Sequence, residues 1–401
     1  MDHEQYASFL PFLQAVPDPR KARGKRYPWL FLLVAVCAAL LSGQLTGSAI
    51  ADWVAKHVQE IAAFLRMKLR CAPSHSTLRR ALRYVDVETL ERVMAEHNQA
   101  LQKEGLASGK VAEADGQPLR GQAIDGKEVR GAGAHGVKVH LLGLAQHGSG
   151  GVLAQREVGE KTNEIPEVPK LLAGRDLKGT VTTLDAMNTQ RATAQLIIDQ
   201  GGHYVMVVKE NQPALYDDIK TFFEGTFLPQ EDDRDTHTCW SKGHGRLETR
   251  ILTCSEGLNG YLDWPGAKQI AKRQCLRREI RSGKKSSEVT YAVTSLDRQQ
   301  AGAQQLEAFW RGHWTIENKV HYVRDVTLAE DRCQIHKGNA PRALAVIKNA
   351  LVTALRHCGW ANIAAALRYY GAYVCRALSF LAGNASCQGP AQAARGCPGP
   401  P

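Results

Sequence analysis

Apolar residues recur at helical spacing over the first quarter of the chain, from Tyr6 to about Leu106, with no strand-like alternation. One part of this region shows the spacing well: Ile50, Trp53, Val54, Val58 and Ile61. The pattern predicts an all-helical first domain over residues 1–106.

The apolar run Trp29–Leu41 is the one stretch of this region that suggests a membrane. It is too short to span a bilayer. It also lies behind the charged stretch that begins at Asp18, which is unlike a signal peptide. We therefore predict a buried helix here and no membrane partner.

A different pattern follows a Gly-rich connection at about residues 107–116. Short apolar runs alternate with helical segments, which predicts an α/β domain over residues 117–382. The predicted strands are Gln122–Asp125, Val137–Ala145, Val152–Val158, Thr180–Leu184 and His203–Val208. Short Gly-rich turns join the first three strands and predict antiparallel hairpins. The predicted helices are Glu164–Leu172 and Thr189–Asp199.

Strand patterns return within this domain and predict a β-rich insertion at about residues 213–298. The strands expected there are Arg246–Cys254, Lys268–Arg281 and Glu288–Leu296. Helical spacing then resumes from Gln299 to about Ala382. Residues 383–401 lack core-forming side chains, so we predict a disordered tail.

The chain of 401 residues carries 51 Lys and Arg against 40 Asp and Glu, a formal net charge of +11, which favours a polyanionic partner such as DNA. Residues 62–85 contain six basic and no acidic side chains. Within them, Arg79, Arg80 and Arg83 follow a helix-capping hydroxyl residue, as in a DNA-recognition helix. A solvated basic helix would look the same.

Two further features of the composition narrow the protein class. The insertion carries a second group of basic residues, between Lys268 and Lys285. Ten cysteines occur without any Cys-x-x-Cys pair, which argues against a zinc ribbon or a disulfide scaffold. Reduced thiols indicate a cytoplasmic protein, and DNA binding would place it at the nucleoid of a bacterium.

Cleavage of a phosphodiester bond needs an activated water and a stabilised leaving oxygen, which two divalent ions about 3.5–4 Å apart supply. Because Mg²⁺ takes few protein ligands, three carboxylates can hold both ions. Three acids are candidates: Asp125 and Asp185, each closing an apolar strand, and Glu317, on a helix. Each acid has an alternative interpretation: Asp125 as an aspartate in a turn, Asp185 as a helix N-cap, and Glu317 as part of a solvated helix face. Helical spacing predicts His313, Glu317, His321 and Arg324 on one face.

Many short blocks, in order from about Leu10 to Ala382, make the sequence resemble the DDE transposases of bacterial insertion sequences, most closely the H-repeat-associated group. They include Ala123-Ile-Asp-Gly-Lys127, Lys161-Thr-Asn-Glu-Ile165, Asp185-Ala-Met-Asn-Thr-Gln190, Lys209-Glu-Asn-Gln212 and His313-Trp-Thr-Ile-Glu-Asn318.

The resemblance implies a ribonuclease H-like catalytic core with Asp125 on the first strand, Asp185 after the fourth and Glu317 on a late helix. It implies two Mg²⁺ ions, which Mn²⁺ can replace, held by these three acids. The expected activity is hydrolysis and strand transfer at the ends of an insertion sequence.

The resemblance also implies DNA contacts. Related transposases carry a signature around the glutamate: a Tyr, then an Arg after two intervening residues, the Glu after three more, and a Lys after a further six. The corresponding residues here are Trp310, His313, Glu317 and Arg324. Further candidates are Lys209 and Gln212 after the fifth strand, and His244 and Arg246 in the insertion, although turn residues and surface charges fit these four equally well.

The expected partner is double-stranded DNA, with a homodimer formed on it. The Gly-x-Gly-x-x-Gly match at residues 131–136 precedes a strand rather than a helix, so no nucleotide cofactor is predicted. A metal-dependent nuclease of the same fold, and a silent DNA-binding repressor derived from a transposase, are the alternative functions.

Overall fold

A computed structural model describes residues 6–22, 25–107, 119–130, 139–159, 162–225, 233–243 and 245–384. Its centre is a mixed nine-stranded sheet in the order β3-β2-β1-β4-β5-β9-β8-β7-β6. The strands are β1 Arg120–Glu128, β2 His140–Gln146, β3 Val152–Val158, β4 Thr180–Leu184, β5 His203–Val208, β6 Asp235–Gly243, β7 Arg246–Ser255, β8 Gln269–Glu279 and β9 Lys285–Thr294.

The first five strands form the part of the sheet that the sequence predicted. Strands β1, β2 and β3 are antiparallel neighbours, whereas β1, β4 and β5 run parallel to one another. The Gly-rich turns allow the antiparallel pairs, and the parallel pairs are joined through helices on the sheet face. This is the ribonuclease H-like arrangement that the resemblance implied.

The insertion continues the same sheet instead of forming a separate one. Strand β9 pairs antiparallel with β5, and β8, β7 and β6 follow outward. The sequence reading missed β6, an edge strand whose polar residues alternate between exposed and half-buried positions. It also missed the amphipathic helix Pro213–Glu224 in front of it. The three predicted strands are present with shifted ends.

Helices precede, flank and follow the sheet. They are α1 Phe9–Gln14, α2 Trp29–Leu41, α3 Gly47–Lys56, α4 Val58–Phe64, α5 His75–Tyr84, α6 Val87–Ala107, α7 Glu167–Leu172, α8 Arg191–Asp199, α9 Pro213–Glu224, α10 Ala303–Gly312, α11 Ala340–His357, α12 Ile363–Gly371 and α13 Val374–Leu381. Wide π-helical turns, Ile316–His321 and Val323–Thr327, lie between α10 and α11.

The N-terminal and C-terminal helices share one hydrophobic core, in which α11 packs against α6. Helix α2 lies at its centre with almost every side chain buried, which confirms the predicted buried helix. No helix in the described ranges is long and apolar enough to cross a membrane. The domain boundary at residue 106 remains a prediction. From residue 385 onward, the predicted disordered tail lies outside the residues that the structure describes.

His97 in α6 provides a test of this shared core. Its ring is fully buried, stacks against Phe9 at 4.0 Å and bonds through Nε2 to the Ala7 carbonyl at 3.0 Å. Burial lowers the pKa of His97 from 6.5 to about 4. Below pH 6.5 the unfolded chain therefore binds a proton that the folded chain excludes, and stability falls as the pH falls towards 4.

The variant His97→Gln keeps an amide donor for Ala7 but cannot titrate. In wild type, His97 makes the free energy of unfolding fall by about 1.4 kcal/mol for each pH unit between pH 6.5 and 4. We expect the variant to lack this contribution to the pH dependence. Urea denaturation at several pH values measures this slope. The same change at the exposed His75 is the control, and an unchanged slope in the His97 variant would contradict the assignment.

Candidate active site

Two aspartates occupy equivalent positions on neighbouring parallel strands. Asp125 follows Ile124 in β1, and Asp185 follows Leu184 at the end of β4. Ile124 and Leu184 are register partners in the sheet. The backbone pairing therefore holds the two carboxyl groups next to each other.

A π-helical turn brings the third acid to the same place. Ile316 and Val320 in the turn pack on Ala123 of β1 and Ala145 of β2 in a small buried cluster. Glu317 lies between these two apolar residues along the chain. Ile316 also lies over Gly143 of β2, with its Cδ1 3.6 Å from where a Cβ would stand, an ordinary van der Waals distance.

Electrostatics show that the acids are close. Burial and nearby carboxylates raise the pKa of Asp125 to about 7, and the carboxylates are Glu164, Asp185 and Glu317. Burial and Asp185 also raise the pKa of Glu317. The site is thus a concentration of negative charge at the edge of the sheet, which a cation would relieve.

The imidazole nearest to Asp125 does not supply that cation. His321 Nδ1 lies 3.4 Å from Asp125 Oδ2. Burial, Arg324 and Lys127 lower the pKa of His321 to about 3, so this ring is neutral at pH 7. The cation Lys127, on the same strand as Asp125, is buried and pairs with Asp325 at 2.5 Å instead.

Asp185 is held by the loop that follows β4. Its Oδ1 accepts hydrogen bonds from the backbone N–H and the side-chain Nδ2 of Asn188, both at 3.0 Å. The same Nδ2 donates to Glu164 Oε2 at 2.8 Å. Because Nδ2 has two acceptors, the amide orientation is fixed. Asn188 Oδ1 is then a buried acceptor without a hydrogen-bond partner in the described ranges.

The donor set fits a hard divalent cation. Within the described ranges no group of three or more His, Cys, Asp or Glu side chains is arranged so that it could hold a metal ion on its own. Mg²⁺ does not require such a group, since it retains waters and uses one or two carboxylates with substrate phosphates. Carboxylates held close against their mutual repulsion, next to the unpartnered Asn188 oxygen, are ligands of the kind it prefers.

Two half-buried histidines meet at Thr183, two residues before Asp185. His147 Nε2 and His313 Nδ1 each contact the Thr183 hydroxyl at 3.0 Å. Burial lowers the pKa of both rings, that of His147 to about 3. A side chain at either Gly121 or Gly312 would collide with the His147 ring. These glycines allow β1 and α10 to close around it.

With this geometry in view, comparison with known proteins identifies the family. Residues 109–354 match the family described as Transposase DDE domain, and residues 10–98 match the one described as DDE_Tnp_1-associated. The chain belongs to the DDE transposase family. Its helical first part is thus shared with other members, as is its mixed α/β part.

Several relatives of this transposase cover most of its length. "Putative transposase YncI" of Escherichia coli O157:H7 is 27% identical over 88% of each chain. "H repeat-associated putative transposase YhhI" of Escherichia coli K12 is 28% identical over 86% of this chain and 89% of its own. An uncharacterized protein from the dhlA 3' region of Xanthobacter autotrophicus is 33% identical over 71% of this chain and 93% of its own.

The structure places the candidate DNA contacts in different settings. Arg79, Arg80 and Arg83 lie on α5, whose opposite face buries Leu78 and Leu82, and Ser74 caps the helix as predicted. Lys209 and Gln212 line a cleft of about 730 Å³ beside the Asp185 loop. Arg246 begins β7 and lies 3.5 Å from Glu248. His244 is outside the described residues.

Two of the predicted DNA contacts, which remain predictions, lie where their side chains are turned away from the surface in this structure. Trp310 is only 7% exposed and packs under the Arg273 guanidinium, so its ring cannot stack on a displaced base. His313 points inward to Thr183, and its lowered pKa leaves it neutral. A neutral, inward-facing imidazole has no charge to offer a phosphate.

Arg324 also differs from the prediction. It is 3% exposed, and its Nε donates to the buried Glu330 at 2.8 Å. The cause is the wide helical turn, in which the Tyr322 N–H bonds to the Glu317 carbonyl, five residues back. This spacing separates Arg324 from the face of Glu317 that α-helical spacing implied, so a phosphate contact is not available to it.

Sequence reasoning gave no role to four residues that the structure brings to the acids: His140, Glu164, Asn188 and His321. Glu164 and Asn188 lay within two of the motif blocks, and that position was the available signal. His321 was noted only as part of a helix face. Nothing in the sequence pointed to His140, because it reaches the site only through the pairing of β2 with β1.

The charge repulsion predicts a stability cost at Asp125. Because the folded pKa of about 7 exceeds the usual 3.8, the folded protein binds more protons between these values, and stability falls as the pH rises through them. Without divalent metal at pH 8, Asp125→Asn should raise the unfolding free energy by on the order of 4 kcal/mol, since the shift is roughly three pKa units and each unit corresponds to about 1.4 kcal/mol.

Chemical denaturation in EDTA at pH 8 and at pH 4 measures this gain. It should vanish at pH 4, where the folded aspartate is protonated. A variant less stable than wild type at pH 8 would contradict the electrostatic account.

The placement of Arg324 predicts a structural effect of its loss. Arg324→Ala leaves Glu330 buried with only Lys348, 3.7 Å away, so the unfolding free energy should fall by about 3–5 kcal/mol. Denaturation curves test this, and the exposed Arg92→Ala serves as control. A stable variant with weakened DNA binding would restore the phosphate role.

Proposed function

We propose that this transposase cuts one DNA strand at each end of its insertion sequence and joins the exposed 3′-hydroxyl to target DNA. The observation that carries the proposal is the site itself: Asp125, Asp185 and Glu317 converge at one sheet edge with uncompensated negative charge. Membership of the DDE family supports the same reaction class.

Asp125 would contact both of two Mg²⁺ ions, while Asp185 and Glu317 would contact one each, and Mn²⁺ would serve in their place. When bound, these ions activate the attacking oxygen and stabilise the leaving oxygen. The chain's own contribution is to hold the three carboxylates in place. Asn188 fixes Asp185 by two hydrogen bonds, and packing of Ile316 and Val320 fixes Glu317.

No side chain is required as a covalent nucleophile in this proposal. The nearest imidazole, His321, is neutral and can orient Asp125 through its 3.4 Å contact without adding charge. The half-buried pair His147 and His313 keeps β4 and the helix before Glu317 in register through Thr183. These residues therefore organise the site, and the acids hold the metal.

DNA would reach the site along basic surfaces on both sides of it. Arg79, Arg80 and Arg83 on α5 neutralise phosphates of the terminal sequence. Lys209 and Gln212 line the cleft next to Asp185 and contact the strand being cut. Arg246 contributes from the insertion, with His244 beside it in sequence. A homodimer on DNA would pair the two ends.

Magnesium-dependent nicking of DNA that carries the repeats flanking the gene tests this proposal. Wild type should nick at the repeat ends and, with target DNA present, yield joined products on a denaturing gel. Asp185→Asn should abolish both while retaining DNA affinity. The matched control is Asp199→Asn, an exposed aspartate at the end of α8, which should nick normally.

The alternatives give different outcomes in the same assay. Nicking without joined products would favour a nuclease of this fold. Equal inactivity of wild type and Asp185→Asn, with intact DNA binding, would favour a repressor. Nicking that survives in Asp185→Asn would overturn the assignment of the acids.

A further inference from the structure

A fourth acid, Glu164, lies in the site and belongs to none of the roles described above. It precedes helix α7 and is 5% exposed. It shares the side-chain amide of Asn188 with Asp185, and its charge contributes to the raised pKa of Asp125. A buried carboxylate next to three others is costly, so its retention calls for a physical reason.

Both oxygens of Glu164 are engaged. Oε2 accepts from Asn188 Nδ2 at 2.8 Å, and Oε1 lies 2.9 Å from His140 Nε2. The hydrogen bond with Glu164 raises the pKa of His140, on β2. One carboxylate therefore connects the β4–α8 loop to β2, which is separated from β4 by β1 in the sheet.

The surrounding backbone is shaped for this carboxylate. Gly126 follows Asp125 in β1, and a side chain there would collide with both the Glu164 carboxylate and the His140 ring. Any residue larger than glycine would thus displace Glu164 from the site. The close approach of Glu164 to β1 therefore depends on Gly126, the residue next to the proposed metal ligand Asp125.

We infer that Glu164 is a positioning residue for the metal site: it holds the Asn188 amide so that Asn188 can hold Asp185. Asn188 gives both its backbone and side-chain N–H groups to Asp185 Oδ1, and Glu164 fixes the direction of that amide. Partners that orient metal ligands commonly change metal affinity 10–100-fold when removed. This inference rests on the proposed function, because it concerns the same cations.

Mn²⁺ binding to the whole protein, followed by electron paramagnetic resonance without DNA, tests the inference independently of cleavage. Glu164→Ala should weaken Mn²⁺ affinity by about 10–100-fold. Glu164→Gln should recover most of that loss, because its amide oxygen still accepts from Asn188. Asn188→Ala should weaken binding like Glu164→Ala, and the double variant should be no worse than either single one.

Glu167 supplies a matched control three residues further along. It is 7% exposed and pairs with Arg156 at 2.7 Å and Lys170 at 2.6 Å. Glu167→Gln should lower the unfolding temperature without changing Mn²⁺ affinity. A role of Glu164 in stability alone would make its variants behave like this control.

Unchanged Mn²⁺ affinity in both Glu164 variants, or additive losses in the double variant, would overturn the positioning role. A failure of the proposed function looks different, since wild type and Asp125→Asn would then bind Mn²⁺ equally weakly. Should Glu164→Ala not fold, Glu164→Met takes its place, because it fills the space without accepting from Asn188; it should lose Mn²⁺ affinity as Asn188→Ala does, and unchanged affinity would overturn the positioning role.

Discussion

Repulsion among carboxylates that the sheet holds side by side is the constraint around which this transposase is organised. Asp125 and Asp185 are adjacent because β1 and β4 pair in parallel register, and Glu317 joins them because a wide helical turn packs on the same strands. Burial and the neighbouring carboxylates together raise the pKa of Asp125, which shows the direction of that cost. A protein under selection for stability alone would not keep these acids together.

Buried cations near the site do not neutralise the charge of these acids, because other carboxylates pair with them. Lys127, Arg324 and Lys348 lie buried close to the acids, but Asp325 and Glu330 pair with them. His321 next to Asp125 stays neutral. The cations of the interior thus fix the helical turns to β1 and α11 while the negative charge of the site remains available to an added cation. Shared packing of N-terminal and C-terminal helices supports this layer from behind.

Much of the core could be predicted from sequence because its signals are local. Strands β3, β4 and β5 were predicted with their observed ends, since each is a short apolar run between turn residues. Asp125 and Asp185 were found for the same reason, since each follows an apolar run, although β1 continues past Asp125 to Glu128. Strand β6 was missed because an edge strand buries little, so its sequence resembles that of a loop.

The errors at the site have a different origin. The proposed DNA contacts Trp310, His313 and Arg324 came from the family signature, and only the shared face of Glu317 and Arg324 assumed α-helical spacing. The π-helical turns instead direct Arg324 towards Glu330. Glu164 and His140 meet only after β2 and the α7 entrance fold onto Gly126, so no local pattern reports them. The family resemblance identified the three acids although they lie far apart in the chain. Residues that reach the site only through tertiary packing could be identified only from the structure.

Anomalous diffraction from crystals soaked in Mn²⁺ would test most directly the central claim that the acids form a two-metal site. The account predicts two anomalous peaks, both in contact with Asp125, one also with Asp185 and the other also with Glu317, and their loss in crystals of Asp125→Asn. Mn²⁺ found only elsewhere on the protein, or peaks that persist unchanged in the variant, would contradict it.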